Sequence, residues 1–200
     1  MSQVECGVAK FVLPGQGESG DHHLTCPTQG GILIAAIDGI GHGNEAASAA
    51  KAAIAILKTH ADEPIISLVE YCHEELRATR GVVFSLASID GSHGMMTWLG
   101  VGNVQGVLLR AGAKQGNGRE ELLLRGGVVG SQLPPLQAAV LSIDRGDTLV
   151  FATDGVRVNF IESLSALESP QRAADRILER YRSGSDDALA LVVRLSGVRT

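Results

Sequence analysis

The spacing of apolar positions along this chain switches between strand-like and helical, and each switch marks an element. Val4–Leu13 alternates weakly and predicts a first strand, followed by a polar, glycine-rich loop over Pro14–His23. Ile32–Ile37 is an unbroken β-branched-rich run, too short to span a membrane, and reads as a buried strand. It stops at Asp38, with Gly39, Gly41 and Gly43 behind it. In Asn44–His60, Ala46, Ala47, Ala50, Ile54 and Leu57 recur at helical spacing. Pro64–Arg80 predicts a second helix. Proline stands in its first turn, Ile65, Leu68, Val69, Cys72 and Leu76 share one side, and Arg77 and Arg80 lie near its end.

From Gly81 the pattern turns to period two or to apolar runs: Val82–Ile89, Met95–Gly100, Val104–Arg110, Glu120–Arg125, Ala138–Ser142 and Thr148–Thr153. The separators DGSHG (Asp90–Gly94) and KQGNG (Lys114–Gly118) are turn-like, so antiparallel neighbours are expected. Pro170–Arg182 predicts a third helix and Ala188–Leu195 a last strand. No repeat or linker interrupts residues 1–200, which read as one domain. Strand, two helices, many strands, helix, strand is not βαβ alternation. It predicts an α+β fold, two sheets with helices outside.

Composition narrows the function. The chain is 44% apolar but only 4% aromatic, so its core is aliphatic and alanine-rich. Its formal net charge of −5, with no basic cluster, argues against a nucleic-acid partner. Cys6, Cys26 and Cys72 are scattered and odd in number, which suits thiols in a reducing compartment. The first residues, MSQVECG, lack the basic and apolar regions of a signal peptide, and no run approaches membrane-spanning length. A soluble cytoplasmic protein is expected.

The chemistry lies in acids at strand ends. Asp38 ends one strand and precedes Gly39; Asp154 follows TLVFAT and precedes Gly155; Asp21 lies in SGD; Asp186 and Asp187 precede the last strand. Carboxylates brought to one edge of a sandwich repel unless cations lie between them. With oxygen donors, no CxxC and no HExxH, the expected ion is hard, Mg²⁺ or Mn²⁺. Glycine after Asp38 and after Asp154 is expected to let the main-chain carbonyl turn toward such an ion.

Five blocks follow one another in a telling order: SGD (Ser19–Asp21), DGIGHG (Asp38–Gly43), GVGN (Gly100–Asn103), GDTLVFATDGV (Gly146–Val156) and SDDALALVV (Ser185–Val193). Together they resemble the metal-dependent PP2C-type protein serine/threonine phosphatases, in particular the short bacterial branch with the SpoIIE and RsbU relatives. The resemblance covers nearly the whole chain. It implies a four-layer α-β-β-α sandwich of two central, mainly antiparallel sheets, with two divalent cations, Mn²⁺ or Mg²⁺, at one end. Carried over by position, Asp38 would bridge both metals and the Gly39 carbonyl would bind one. Asp154 and Asp186 would hold the other, and Asp21 would bind a metal or support a ligand. The implied reaction is hydrolysis of phosphoserine or phosphothreonine by metal-activated water, with Asp38, Asp154 and Asp186 as the catalytic set. The implied partners are phosphorylated STAS-domain proteins of a stressosome-like complex in stress signalling.

The pattern departs from the family in places. Leu189 stands where many relatives have Thr. Arg157 lies close to Asp154 where many carry an acid, and is a candidate for binding substrate phosphate. No arginine occurs in Phe11–His23. Asp187 remains an alternative to Asp186. His42 is open between a general-acid role and a structural one, and Asn103 reads as shaping a turn. His22 and His23 read as polar loop residues, and Gly126–Gly130 as turn and strand start. Gly39-x-Gly41-x-Gly43 superficially resembles a dinucleotide loop, but the third spacing is wrong and Asp38 would repel pyrophosphate. A metal-free scaffold of the same fold is the other alternative; clustered acids argue against it.

Overall fold

The computed structural model describes residues 4–112, 118–165 and 168–196. The KQGNG separator, apart from Gly118, lies outside the described residues. Two sheets stack face to face. The first contains β1 (Val4–Phe11), β6 (Gln105–Leu109), β7 (Arg119–Glu121), β10 (Thr148–Ala152) and β11 (Ala188–Leu195), ordered β1-β11-β10-β6-β7. The second contains β2 (Asp21–Pro27), β3 (Ile32–Gly39), β4 (Val82–Asp90), β5 (Met95–Val101) and β8 (Leu124–Arg125) in that order, with β9 (Ala139–Ser142) also on β5.

Three apolar layers fix the stack. Ile34, Ala36, Trp98, Leu108, Phe151 and Leu191 fill the space between the sheets. Helices α1 (Asn44–Thr59) and α2 (Ile65–Glu75) cover the second sheet, with Ala50, Leu57, Leu68 and Cys72 packed on Leu33, Ile37 and Phe84. Helix α3 (Pro170–Tyr181) and the 3-10 turn Val158–Ser163 cover the first, with Ala174, Ile177 and Phe160 packed on Val150 and Val192. This is the α-β-β-α sandwich expected. β3 is apolar from Ile32 to Ile37 because α1 packs on one of its faces and the first sheet on the other.

The sequence reading needs four corrections. Asp21–Pro27 is a strand, so the loop ends at Gly20; β2 lies at a sheet edge and buries one apolar side chain, Leu24, which weakens its periodic signal. The second helix stops at Glu75 rather than Arg80. Just beyond it the Thr79 hydroxyl donates to the Leu76 carbonyl (2.7 Å) and accepts from the Gly81 amide (3.0 Å), replacing the helical pattern. Glu120–Arg125 is not one strand but two, β7 in the first sheet and β8 in the second. Lastly, β8 runs parallel to β5, not antiparallel.

Candidate active site

Each sheet presents the same local device at one end of the sandwich. In the second sheet, the C-terminal end of β3 lies beside the N-terminal end of β2, with Asp38 directly opposite Asp21. In the first sheet, Ala152 at the end of β10 pairs with Ala190 near the start of β11, so Asp154 lies beside Asp186 and Asp187. The β5–β6 crossing, Gly102–Val104, passes between the sheets at this same end. Asp38, Asp154 and Asp186 share a cleft of about 580 Å³ with Gln16, Ile40, His42, Asn103 and Gly127 among the other walls.

Hydrogen bonds across the sheets hold the acids in place. The Thr153 hydroxyl donates to Asp21 Oδ2 at 2.6 Å and accepts the Leu189 amide at 2.9 Å. Asp187 is buried, and its two carboxylate oxygens accept the Leu13 and Gly20 amides, each at 2.8 Å. Asp186 lines the cleft, whereas Asp187 is not among its walls. Asn103 Nδ2 donates to Asp154 Oδ2 at 2.8 Å. Asn103 therefore does more than shape a turn.

The two glycines have a packing reason of their own. A Cβ on Gly39 would lie 2.1 Å from the Ala46 carbonyl oxygen, and one on Gly155 would lie 1.8 Å from that of Asp187. Both glycines admit close backbone approach, of α1 and of the β11 lead-in respectively.

Charge is uncompensated here. Among the described residues, none of Asp21, Asp38, Asp154, Asp186 and Asp187 forms an ion pair. Lys10 is close to Asp21 but its ammonium donates to the main-chain carbonyl, at 3.2 Å. Burial, followed by the Asp21, Asp154, Asp186 and Asp187 charges, raises the Asp38 carboxyl to about 8. Burial also raises Asp21 to about 7, against the pull of the Thr153 hydroxyl and with the other acids adding to the rise. Asp154 is raised by desolvation and then by Asp186. Among the described residues no three His, Cys, Asp or Glu side chains gather tightly enough to chelate an ion alone. A hard cation here would complete its shell with main-chain carbonyls and water, as Mg²⁺ commonly does.

Arg157 is not brought to the cleft. It is exposed, and its Nη2 donates to the Arg180 carbonyl at the end of α3 (2.9 Å), while its own amide donates to the Tyr181 carbonyl. Its nearness to Asp154 in sequence is undone by the turn at Asp154–Val156. His42 does line the cleft. His22 and His23 belong to β2 rather than to a loop. Gly126, Gly127 and Val128 form cleft wall, where sequence showed only a turn. Gln16 was also missed, because a glutamine in a glycine-rich loop carries no distinguishing pattern.

Sandwich, cleft and carboxylate placement together define a PP2C-type phosphatase domain. More narrowly, the chain belongs to the family of stage II sporulation protein E (SpoIIE), which matches residues 28–196. The phosphoserine phosphatase RsbX of Bacillus subtilis (strain 168) is 24% identical over 189 residues, covering 93% of both chains. A chain solved in work on the bacterial stressosome, a modular system adapted to control secondary messenger signalling, is 30% identical. That match covers 96% of this chain and 100% of the other, with a TM-score of 0.85. The crystal structure of RsbX in complex with magnesium matches at 21% identity and TM-score 0.85, covering 96% of each chain. Among the described residues no helix is long and apolar enough to cross a membrane.

Proposed function

We propose that this phosphatase hydrolyses phosphoserine or phosphothreonine in a protein substrate, using two divalent cations, Mg²⁺ or Mn²⁺, bound at the acidic end of the sandwich. The observation that carries the reading is the convergence of Asp38, Asp154 and Asp186 on one cleft whose walls, among the described residues, hold no lysine or arginine. An all-oxygen donor set of this kind fits hard divalent ions. In this reading Asp38, the Gly39 carbonyl, Asp154 and Asp186 would hold the ions, and Asp21 would bind one of them or support a ligand. When bound, the ions supply charge to hold the phosphoryl group and to acidify a water.

The chain's own residues do the rest. Asn103 fixes the Asp154 carboxylate, and Thr153 fixes Asp21. Asp187 ties the loop before β2 to the base of β11. In the same reading His42, which lines the cleft, would give a proton to the leaving serine or threonine oxygen. RsbX is named a phosphoserine phosphatase and the 30%-identical chain comes from stressosome work, which supports phosphorylated STAS-domain proteins of a stressosome-like complex as the cytoplasmic substrates.

The test is hydrolysis of an aryl phosphate and of a phosphoserine peptide in EDTA, Mg²⁺ and Mn²⁺, beside Asp38→Asn. Metal-dependent turnover that falls on the order of 10³-fold in the variant is expected. Equal turnover in EDTA, or full activity in Asp38→Asn, would sink the reading.

A further inference from the structure

The cleft has walls of two kinds. Asp38 belongs to β3, and Asp154 and Asp186 stand just outside β10 and β11, so paired strands carry the acids. Gly126, Gly127 and Val128 lie instead in the irregular run between β8 and β9. Strand pairing does not hold that run in place: Val128 and Val129 make only isolated bridges, to Gln132 and to Val82. Its position relative to the acids rests on a few contacts.

At one end the Arg125 carbonyl accepts the Gly102 amide at 2.8 Å, and Gly102 is itself cleft wall. At the other, Val129 and Val82 exchange amide-to-carbonyl bonds, both 2.9 Å. A further contact comes from a helix. His73, in the last turn of α2, accepts the Gly130 amide at Nδ1, at 3.1 Å. To accept there, the ring carries its proton on Nε2. Gly130 is buried, its φ is 96°, and a Cβ on it would lie 2.9 Å from the Leu76 carbonyl oxygen. The turn is thus seated directly on the end of α2. A buried amide has to be paired. Here the partner is a side chain of a covering helix, two residues along the chain from Val128 in the cleft wall.

Resting on the reading above, we propose that His73 is a positioning residue: by holding Gly130 it sets the Gly126–Val128 wall, against which the peptide chain of a phosphoprotein lies. It acts through that wall and touches no substrate itself. An aryl phosphate needs the acids and their ions but brings no peptide chain to the wall, so it is indifferent to His73.

The experiment compares wild type with His73→Leu, which fills the space without an acceptor, and His73→Asn, whose Oδ1 restores one near the place of Nδ1. Substrates are a phosphoserine peptide and an aryl phosphate, both with Mn²⁺; exchange of the Gly130 amide is followed by NMR without metal. In His73→Leu the peptide KM should rise about five-fold with kcat within about two-fold, and the Gly130 amide should exchange about ten-fold faster. The aryl phosphate KM should not change. His73→Asn should return peptide KM and Gly130 exchange toward wild type. Unchanged peptide KM or unchanged Gly130 exchange in His73→Leu overturns the proposal, whatever the Tm. A KM raised equally for both substrates, or not restored by His73→Asn, does so as well and leaves His73 a packing residue. Wild type inactive on every substrate with every metal would instead defeat the phosphatase reading itself.

Discussion

Strand β10 has an aspartate just outside each end, and the two are treated in opposite ways. Asp147, before the strand, is only 1% exposed, yet it is fully answered. Arg110 Nη1 donates to it at 2.8 Å, and the amides of Ala111 and Asp144 at 2.9 and 3.1 Å. Asp154, after the strand, meets Asn103 and further acids, with no cation among the described residues. Asp154 is exposed, but Asp21 beneath the cleft is only 2% exposed and has a hydroxyl rather than a cation against it, so the fold neutralises a buried carboxylate at one end and not at the other. The charge deficit is therefore local to one end, which is what a site completed by external cations requires.

The contrast can be broken from either end. Removing a cleft acid should destroy function while sparing the fold: Asp38→Asn should lose on the order of 10³ in metal-dependent turnover. At pH 8, where the raised Asp38 carboxyl begins to carry charge among its neighbouring acids, its Tm in EDTA should match or exceed that of wild type. Removing the compensating cation at the other end should do the reverse. Arg110→Ala leaves Asp147 buried without its partner, at a cost of about 3–5 kcal/mol. In a domain of this size that lowers Tm by roughly 6–20 °C, while turnover per folded molecule stays within two-fold. Calorimetry beside initial rates separates the two cases. The smallest effect is expected at Arg157, whose exposed guanidinium is spent on the end of α3. Arg157→Ala should change peptide turnover less than two-fold; a ten-fold loss would return Arg157 to the site.

Much of this was legible in the sequence, for identifiable reasons. β3, α1 and β11 are long and strongly patterned, and the acids at the ends of β3, β10 and β11 stand in ordered blocks that can be read together. β2 was hidden because an edge strand buries so little of itself. The division of Glu120–Arg125 between two sheets leaves no trace in a six-residue pattern, because both halves are strand-like. At the site, Asp38, Asp154 and Asp186 were visible as acids after or before strands. The choice between Asp186 and Asp187 was not, since it depends on which carboxylate receives the Leu13 and Gly20 amides from a loop far away in sequence. Arg157 misled for the opposite reason: closeness in sequence to Asp154 does not survive the turn between them.

The acidic end of the sandwich, where the described residues place no lysine or arginine in the cleft wall, is completed in this account by external divalent cations. The most direct measurement is Tm from pH 5 to pH 8, in EDTA and in Mn²⁺, for wild type and Asp38→Asn. In the folded protein Asp38 titrates at about 8 and Asp21 at about 7, both above their ordinary carboxyl values. Between the unfolded and folded pKa values the native state holds more protons, so stability without metal falls as pH rises through this window. Mn²⁺ binds the native state and competes with those protons, so its stabilisation should grow toward pH 8. In Asp38→Asn both the pH slope and the Mn²⁺ response should shrink. A wild-type Tm that is flat with pH and indifferent to Mn²⁺ would contradict the account.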